Sequence, residues 1–159
     1  MVTTVSLEDA LLSSAREVFE TMVFMALEKA GVESEGIGDE AILGSITFKG
    51  NLEGCLGICF GMECARNVAA NMLAVNTPED LSEADICDAI GEIANMIMGS
   101  LKSRIQEEVG EIEVSIPSVV RGQHLKNRLG EGTQEAVVKV NIEDQYCAVF
   151  SLLYRQRTE

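Results

Sequence analysis

The most regular pattern of apolar and polar positions in the chain runs through residues 82–105. Asp88, Glu92 and Asn95 recur at i, i+4 and i+7, so a helix places them together on its solvent side. Ser82 is a suitable N-cap, and we expect the helix to continue to about Glu108. The opposite side of this helix is apolar and predicts a buried face, made of Ile86, Ile90, Ile93, Ile97 and Leu101.

Two glycines, Gly91 and Gly99, flank the polar side of this predicted helix, and Lys102 continues it. A glycine in a helix interior costs about 1 kcal/mol relative to alanine. One interpretation is that a partner approaches the helix backbone closely there. The other is an ordinary solvated face whose glycines serve packing, and the spacing alone does not decide between them.

Two more helices are predicted. A long amphipathic pattern covers residues 7–30, with Ser6 as its N-cap and Gly31 as the residue that ends it. Residues 62–73 form a shorter helix, and the connector that follows is broken by Pro78.

β-like runs occur in pairs, which predicts two hairpins: residues 41–48 with 52–60, joined at Lys49-Gly50-Asn51, and residues 134–142 with 145–154, joined at Glu143-Asp144. The last run is nearly continuous in apolar residues, which is typical of a strand buried on both faces. Short extended pieces are expected at 111–115 and 118–121, around Pro117. Residues 31–40 and 122–133 are polar and Gly-rich, so we expect loops there.

The order of helix and hairpin is repeated along the chain. A shift of 75 residues places Ser13, Glu17 and Glu20 on Asp88, Glu92 and Asn95, and it also superimposes the two apolar faces. We therefore predict a single α+β domain over 1–159, with pseudo-repeat halves of about 1–75 and 76–159. In this two-layer fold, two long helices pack on a mostly antiparallel sheet around a pseudo-two-fold axis.

The composition excludes several classes of protein. With 26 acidic and 12 basic side chains, the formal charge is −14, which repels nucleic acid and anionic membrane surfaces. The first residues show neither a signal peptide nor a span-length apolar run, so we expect a cytoplasmic protein with no membrane association. The five cysteines lack zinc-ligand spacing, which favours reduced, mostly buried thiols and no metal site. His124 is expected to be a plain surface residue.

The spacing Asp88-x3-Glu92-x2-Asn95, within DAIGEIANMIMG, resembles the motif of the CheC, CheX and FliY phosphatases of bacterial chemotaxis. The flanking segments SIPSVV, before Gly122, and VFETM, in the first helix, are similar as well. Members of the CheC type have a motif on each half, whereas this chain has Glu20 where the earlier copy would need asparagine. The chain therefore looks like the CheX type, and Ser13, Glu17 and Glu20 look like a degraded copy.

The resemblance implies hydrolysis of the aspartyl phosphate on a CheY-type response regulator, which ends a chemotactic signal. Asn95 would orient the attacking water, because an amide both donates and accepts hydrogen bonds. Glu92 would reach the regulator's active-site lysine. The remaining partner-binding candidates are Asp88, Gly91, Met96, Gly99 and Lys102.

The resemblance also implies that the chain has no cofactor of its own, since Mg²⁺ belongs to the regulator, and that it forms a homodimer joined through its sheets. Two alternatives stay open. A related fold occurs in flagellar-switch components such as the FliM middle domain, so the chain could be a non-catalytic adaptor. It could also be a partner of a receptor deamidase, as CheC can be.

Overall fold

A computed structural model of the chain describes residues 3–31, 37–38, 40–123, 125 and 132–156. Its helices are α1 (Thr4–Val18), α2 (Met62–Met72) and α3 (Glu83–Val109), with a π-helical turn at Phe19–Val23 and a 3₁₀ turn at Pro78–Asp80. Its strands are β1 (Leu27–Lys29), β2 (Glu40–Gly50), β3 (Leu52–Gly61), β4 (Ile112–Val114), β5 (Ser118–Gln123), β6 (Gln134–Ile142) and β7 (Tyr146–Gln156).

The strands form one antiparallel sheet in the order β1-β6-β7-β3-β2-β4, and β5 also pairs with β2. A two-fold axis perpendicular to the sheet, between β7 and β3, exchanges the two halves of this order. Each half gives an edge strand to the hairpin of the other half, because β1 pairs with β6 whereas β4 and β5 pair with β2. The helices follow the same exchange, since α1 packs on β6 and α3 packs on β2. The predicted α+β fold with a pseudo-two-fold axis is confirmed.

The hydrophobic core lies between the helices and one face of the sheet. Its centre holds three phenylalanine rings, with centroids 5.5 to 6.3 Å apart: Phe19 from the end of α1, Phe60 from β3 and Phe150 from β7. The predicted apolar face of α3 is fully buried in this core. In β7, Ser151 and Leu153 face away from the core and are nevertheless buried, so the prediction of a strand buried on both faces is confirmed for its central part.

The prediction of one helix over residues 7–30 is wrong at both ends. The N-cap is Thr3 rather than Ser6, which is the N3 residue of the capping box. After the π-helical turn, Phe24 adopts a left-handed conformation with φ 62° and the helix ends, so Gly31 does not end it. The chain then forms β1, in which Leu27 pairs with Ile142 and is buried. This long-range pairing stabilises a strand where the local spacing favoured a helix.

The other predicted elements are found close to their expected bounds. Ser82 caps α3 through a capping box with Asp85. Glu143 and Asp144 both have positive φ, as the tight turn between β6 and β7 requires. The expected loops at 31–40 and 122–133 lie partly outside the described residues, and His124 lies outside them. Where these segments are described, Glu40 begins β2 and β5 continues to Gln123.

The five cysteines are reduced, and Cys55 and Cys64 are buried. Burial raises the pKa of the Cys64 thiol to about 12. Within the described residues, no cluster of three or more His, Cys, Asp and Glu side chains is arranged to hold a metal ion. None of the helices in the same part of the chain is both long and apolar enough to cross a bilayer.

Candidate functional site

The candidate site is the exposed side of α3. Asp88, Glu92 and Asn95 are all exposed there, as the spacing predicts, on the side opposite the buried isoleucines. No hydrogen bond or ion pair with another described residue engages their side chains. We call this set of three residues the polar stripe. Because α3 is capped at Ser82 and packed along its whole apolar face, the stripe is held on a rigid support.

The two glycines beside the polar stripe differ in what surrounds them. A Cβ on Gly91 would lie 3.4 Å from Val119 Cγ2 and 3.7 Å from the Pro117 ring, and Gly91 is buried. The expectation that Gly91 leaves open space for a partner is therefore wrong, because the chain's own β4–β5 segment fills that space. Gly99 is exposed and a Cβ there would meet nothing within 4 Å, so this glycine does leave the helix surface open.

The other two candidates on α3, Met96 and Lys102, are half-buried. Met96 packs against the core and therefore lies at the edge of the exposed side rather than on it. Whether these side chains contact a partner stays a prediction.

The segment between β4 and β5 borders the polar stripe, and the sequence did not predict this position. Ser115 fixes it to β2, since the Thr47 amide donates to Ser115 Oγ at 2.9 Å and the Ser115 amide donates to the Thr47 carbonyl at 2.9 Å. Next in the chain, Ile116 is 88% exposed. Pro117 then packs against Gly91. The available sequence signal is the segment SIPSVV, which resembles a flanking segment of the family and predicts short extended pieces around Pro117, but does not predict their position beside the stripe.

An ion-pair network joins this side of the site to the start of α3. The Arg121 guanidinium on β5 contacts Glu40 of β2 and lies 2.8 Å from the Glu83 carboxylate in the first turn of α3. Its hydrogen bond to Glu40 raises the pKa of Arg121 above its ordinary value. The network therefore links β2, β5 and α3, the three elements that position the polar stripe and its neighbours.

The polar stripe is an open helix surface rather than a pocket. A cavity of about 640 Å³ lies elsewhere, lined by residues that include Glu63, Cys64, Tyr146 and Cys147, and no stripe residue lines it. A neutral amide beside a carboxylate can orient a water molecule and bind a cation. An open surface carrying those two groups suits a substrate of protein size.

Comparison with known proteins gives a consistent family. The model of the family described as chemotaxis phosphatase CheX matches residues 42–141. The CheY-P phosphatase CheX of Thermotoga maritima is 32% identical over 81 residues, which are 51% of this chain and 52% of that protein. The chain thus spans about half the length of this curated relative.

Solved structures share the fold. The crystal structure of the chemotaxis protein CheX from Vibrio vulnificus is similar with a TM-score of 0.80 and 20% identity, over 98% of this chain and 100% of that one. The CheX–CheY–BeF3–Mg²⁺ complex from Borrelia burgdorferi is similar with a TM-score of 0.75 and 17% identity, over 98% and 100% of the two chains.

Proposed function

Because the chain belongs to the CheX family of chemotaxis phosphatases, we propose that it hydrolyses the aspartyl phosphate of a CheY-type response regulator. The family resemblance drawn from the sequence is confirmed by this membership. One observation carries the proposal: Glu92 and Asn95 lie exposed and unengaged by other described residues, one turn apart on a rigid helix. The similarity of the chain to a CheY-P phosphatase and to the structure of a CheX–CheY complex supports the proposal.

The reaction adds water to an acyl phosphate. A water oxygen forms a bond to phosphorus while the bond between phosphorus and the aspartyl oxygen breaks, and both electrons of that bond stay with the aspartate carboxylate. Inorganic phosphate leaves with the protons of the water. Such a reaction depends mainly on positioning the water in line and on neutralising charge.

Asn95 is the residue we assign to the water. Its amide can accept a hydrogen bond from the water and donate one to a phosphoryl oxygen, and it brings no negative charge near the dianion. Glu92 is three positions earlier in the helix, on the same exposed side. Its carboxylate would form a charge-assisted hydrogen bond with the regulator's lysine and so fix the docking register.

The other proposed contacts with the regulator are Asp88, Met96, Gly99 and Lys102, at the edges of the same surface. The Mg²⁺ ion that neutralises the phosphoryl group would come with the regulator, so this chain needs none of its own. The reaction would take place in the cytoplasm, where response regulators act.

We also propose that the chain is a homodimer joined through its sheets. The sheet face opposite the helices supports this proposal, because a cavity of about 170 Å³ on it is lined by apolar residues that include Leu43, Val137 and Val149. Light scattering tests the assembly. A monomer at tens of micromolar protein would count against it.

The decisive experiment measures the loss of radiolabelled phosphate from each CheY-type regulator encoded in the same genome. The wild type should accelerate the loss, and Asn95→Ala should remove most of this acceleration, about a hundredfold, while much of the binding remains. Asn76→Ala is the matched control, because Asn76 is an exposed asparagine outside α3. It should behave as the wild type does.

The two alternative functions predict other results. A non-catalytic adaptor would bind a regulator or a switch protein without accelerating phosphate loss. A deamidase partner would bind a receptor deamidase tightly and show weak phosphatase activity. Failure of the wild type to accelerate phosphate loss from any of the regulators would refute the proposed function.

A further inference from the structure

Ile116 is the most exposed large apolar side chain among the described residues, at 88%. Single exposed apolar residues are common on protein surfaces and by themselves indicate nothing. Ile116 differs because the backbone on both sides of it is fixed. A side chain presented at this exposure on a rigid support suits a contact with another molecule.

Two neighbours fix the backbone. Ser115 exchanges two hydrogen bonds with Thr47 of β2, and its hydroxyl also donates to the Ile116 carbonyl at 3.1 Å. On the other side, the ring of Pro117 fixes φ and restricts Ile116 itself to extended conformations. Ordering this segment therefore costs little further entropy when a partner binds.

The segment lies beside the polar stripe. The Pro117 ring is 3.7 Å from the position of a Cβ on Gly91. On the helix surface Gly91 is a neighbour of Asp88, three positions before it, and of Asn95, four positions after it. Ile116, next to Pro117, thus borders the polar stripe on its Gly91 side.

We propose that Ile116 is a docking residue for the phosphorylated response regulator, packing on an apolar surface of the regulator next to its phosphorylated aspartate. The inference rests on the proposed function and extends it from the reacting groups to the source of affinity. The regulator is the occupant we assign because Ile116 adjoins the polar stripe through Pro117 and Gly91, and the regulator is the protein that brings a phosphoryl group to Asn95.

The charge of the chain supports the need for such a contact. A formal charge of −14 opposes the approach of a dianionic phosphoryl group. The pairing of Glu92 with a lysine gives orientation and specificity more than net affinity. A few well-packed residues at the centre of an interface usually provide most of the binding energy, and Ile116 is an exposed apolar residue that the structure holds rigidly beside the stripe.

The test compares Ile116→Ser with two other variants. Ile116→Val keeps an apolar side chain at the same place. Val120→Ser removes another exposed apolar side chain, from β5 on the strand face opposite Val119 and therefore away from α3; because this is the sheet face proposed for the dimer, its assay is paired with light scattering. Each protein is assayed for turnover of the phosphorylated regulators and for the Kd of the same regulators loaded with beryllofluoride and Mg²⁺.

We expect Ile116→Ser to raise both KM and Kd about tenfold, because a buried isoleucine contributes about that much relative to serine. The value of kcat should stay within about twofold, since Ile116 touches no reacting atom. Ile116→Val should recover most of the affinity, and Val120→Ser should leave KM and Kd unchanged.

Three results would overturn the inference. If the wild type is active but Ile116→Ser binds regulator as tightly, Ile116 does not dock it and the proposed function stands. If Val120→Ser weakens binding equally, the effect is not specific to the segment. If Ile116→Ser changes only the oligomeric state in light scattering, the contact is with a second copy. A wild-type protein that neither binds the regulators nor accelerates phosphate loss refutes the proposed function itself. This result is distinguishable from failure of the docking inference because it is obtained without any variant.

Discussion

The carboxylate of Glu17, on α1, lies 2.7 Å from the guanidinium of Arg104, on α3, and it also accepts a hydrogen bond from the Ser100 hydroxyl at 3.0 Å. Under the shift of 75 residues, Glu17 corresponds to Glu92. The two related carboxylates therefore differ, because Glu17 is bound by its own chain whereas Glu92 is bound by no other described residue. This difference explains physically why the first half of the repeat does not present a second polar stripe.

The first prediction concerns the protonation of Glu17. Its hydrogen bond with Arg104, followed by that with Ser100, lowers the pKa of the Glu17 carboxyl below its ordinary value. The pair therefore stabilises the fold at pH above the ordinary glutamate pKa of about 4.3, and this contribution is lost as the pH falls through the lower folded value. Since both side chains are exposed, the effect is small and weakens with salt.

An NMR titration of the Glu17 carboxyl in the wild type and in Arg104→Ala measures this directly. We expect the pKa of Glu17 to rise in the variant. The stability difference between the two proteins should be present at pH 7 and vanish once the pH has fallen below the lowered pKa of Glu17 in the folded wild type, where the carboxyl is protonated in both states. Lys102→Ala should leave the Glu17 titration unchanged, and equal Glu17 pKa values in wild type and Arg104→Ala would contradict the assignment.

The second prediction is that one substitution cannot restore activity to the degraded motif copy formed by Ser13, Glu17 and Glu20. Glu20 lies in the π-helical turn, whose wider spacing changes its position relative to Glu17 from that of Asn95 relative to Glu92. Glu17 is also bound by Arg104. Introducing Glu20→Asn into the inactive Asn95→Ala background should therefore restore no phosphate release.

The same phosphate-loss assay checks this, with Asn95→Ala alone as the baseline. Adding Arg104→Ala to the double variant, which frees Glu17, should still restore nothing because the π-helical turn remains. Recovery of more than about a tenth of the wild-type acceleration in either protein would show that the spacing of the earlier copy is adequate.

Local patterns in the sequence predict α3 and its exposed stripe well, because the cap, the apolar face and the polar face all lie within one continuous segment. They fail at the end of α1, where Met25 and Ala26 continue the helical spacing, but the chain instead forms β1 through the pairing of Leu27 with Ile142. They also cannot distinguish Gly91 from Gly99. That difference depends on Pro117, which is distant in sequence and packs on only one of the two glycines.

The third prediction concerns Glu92 as the contact for a regulator lysine. Glu92→Ala should raise the Kd for beryllofluoride-loaded regulator about ten- to a hundredfold, because the regulator's lysine is then buried without its partner, a penalty that exceeds the net affinity contributed by the intact pair. Binding should also become less sensitive to salt, because a charge pair is lost. Calorimetric titration at low and at physiological ionic strength measures both effects.

Two further variants make this test more specific. Glu107→Ala removes another exposed glutamate from α3 and should change the Kd little. Glu92→Lys should bind the wild-type regulator poorly and should recover affinity with a regulator whose lysine is changed to glutamate. A Glu92→Ala protein that binds as tightly as the wild type removes Glu92 from the interface.

The fourth prediction separates stability from docking at Gly99. A Cβ there would meet nothing within 4 Å, so Gly99→Ala should raise the free energy of unfolding by about 1 kcal/mol through helix propensity alone. If the regulator lies against this part of α3, the same change should raise KM, and Gly99→Leu should raise it further. Denaturant unfolding and turnover of the phosphorylated regulator measure the two effects independently.

Ser103→Ala, one turn further along the exposed side, is the control and should leave KM unchanged. A more stable Gly99→Leu protein with wild-type KM would place the docking surface away from Gly99, whereas opposite changes in stability and docking would show that this glycine is retained for binding at a cost in stability.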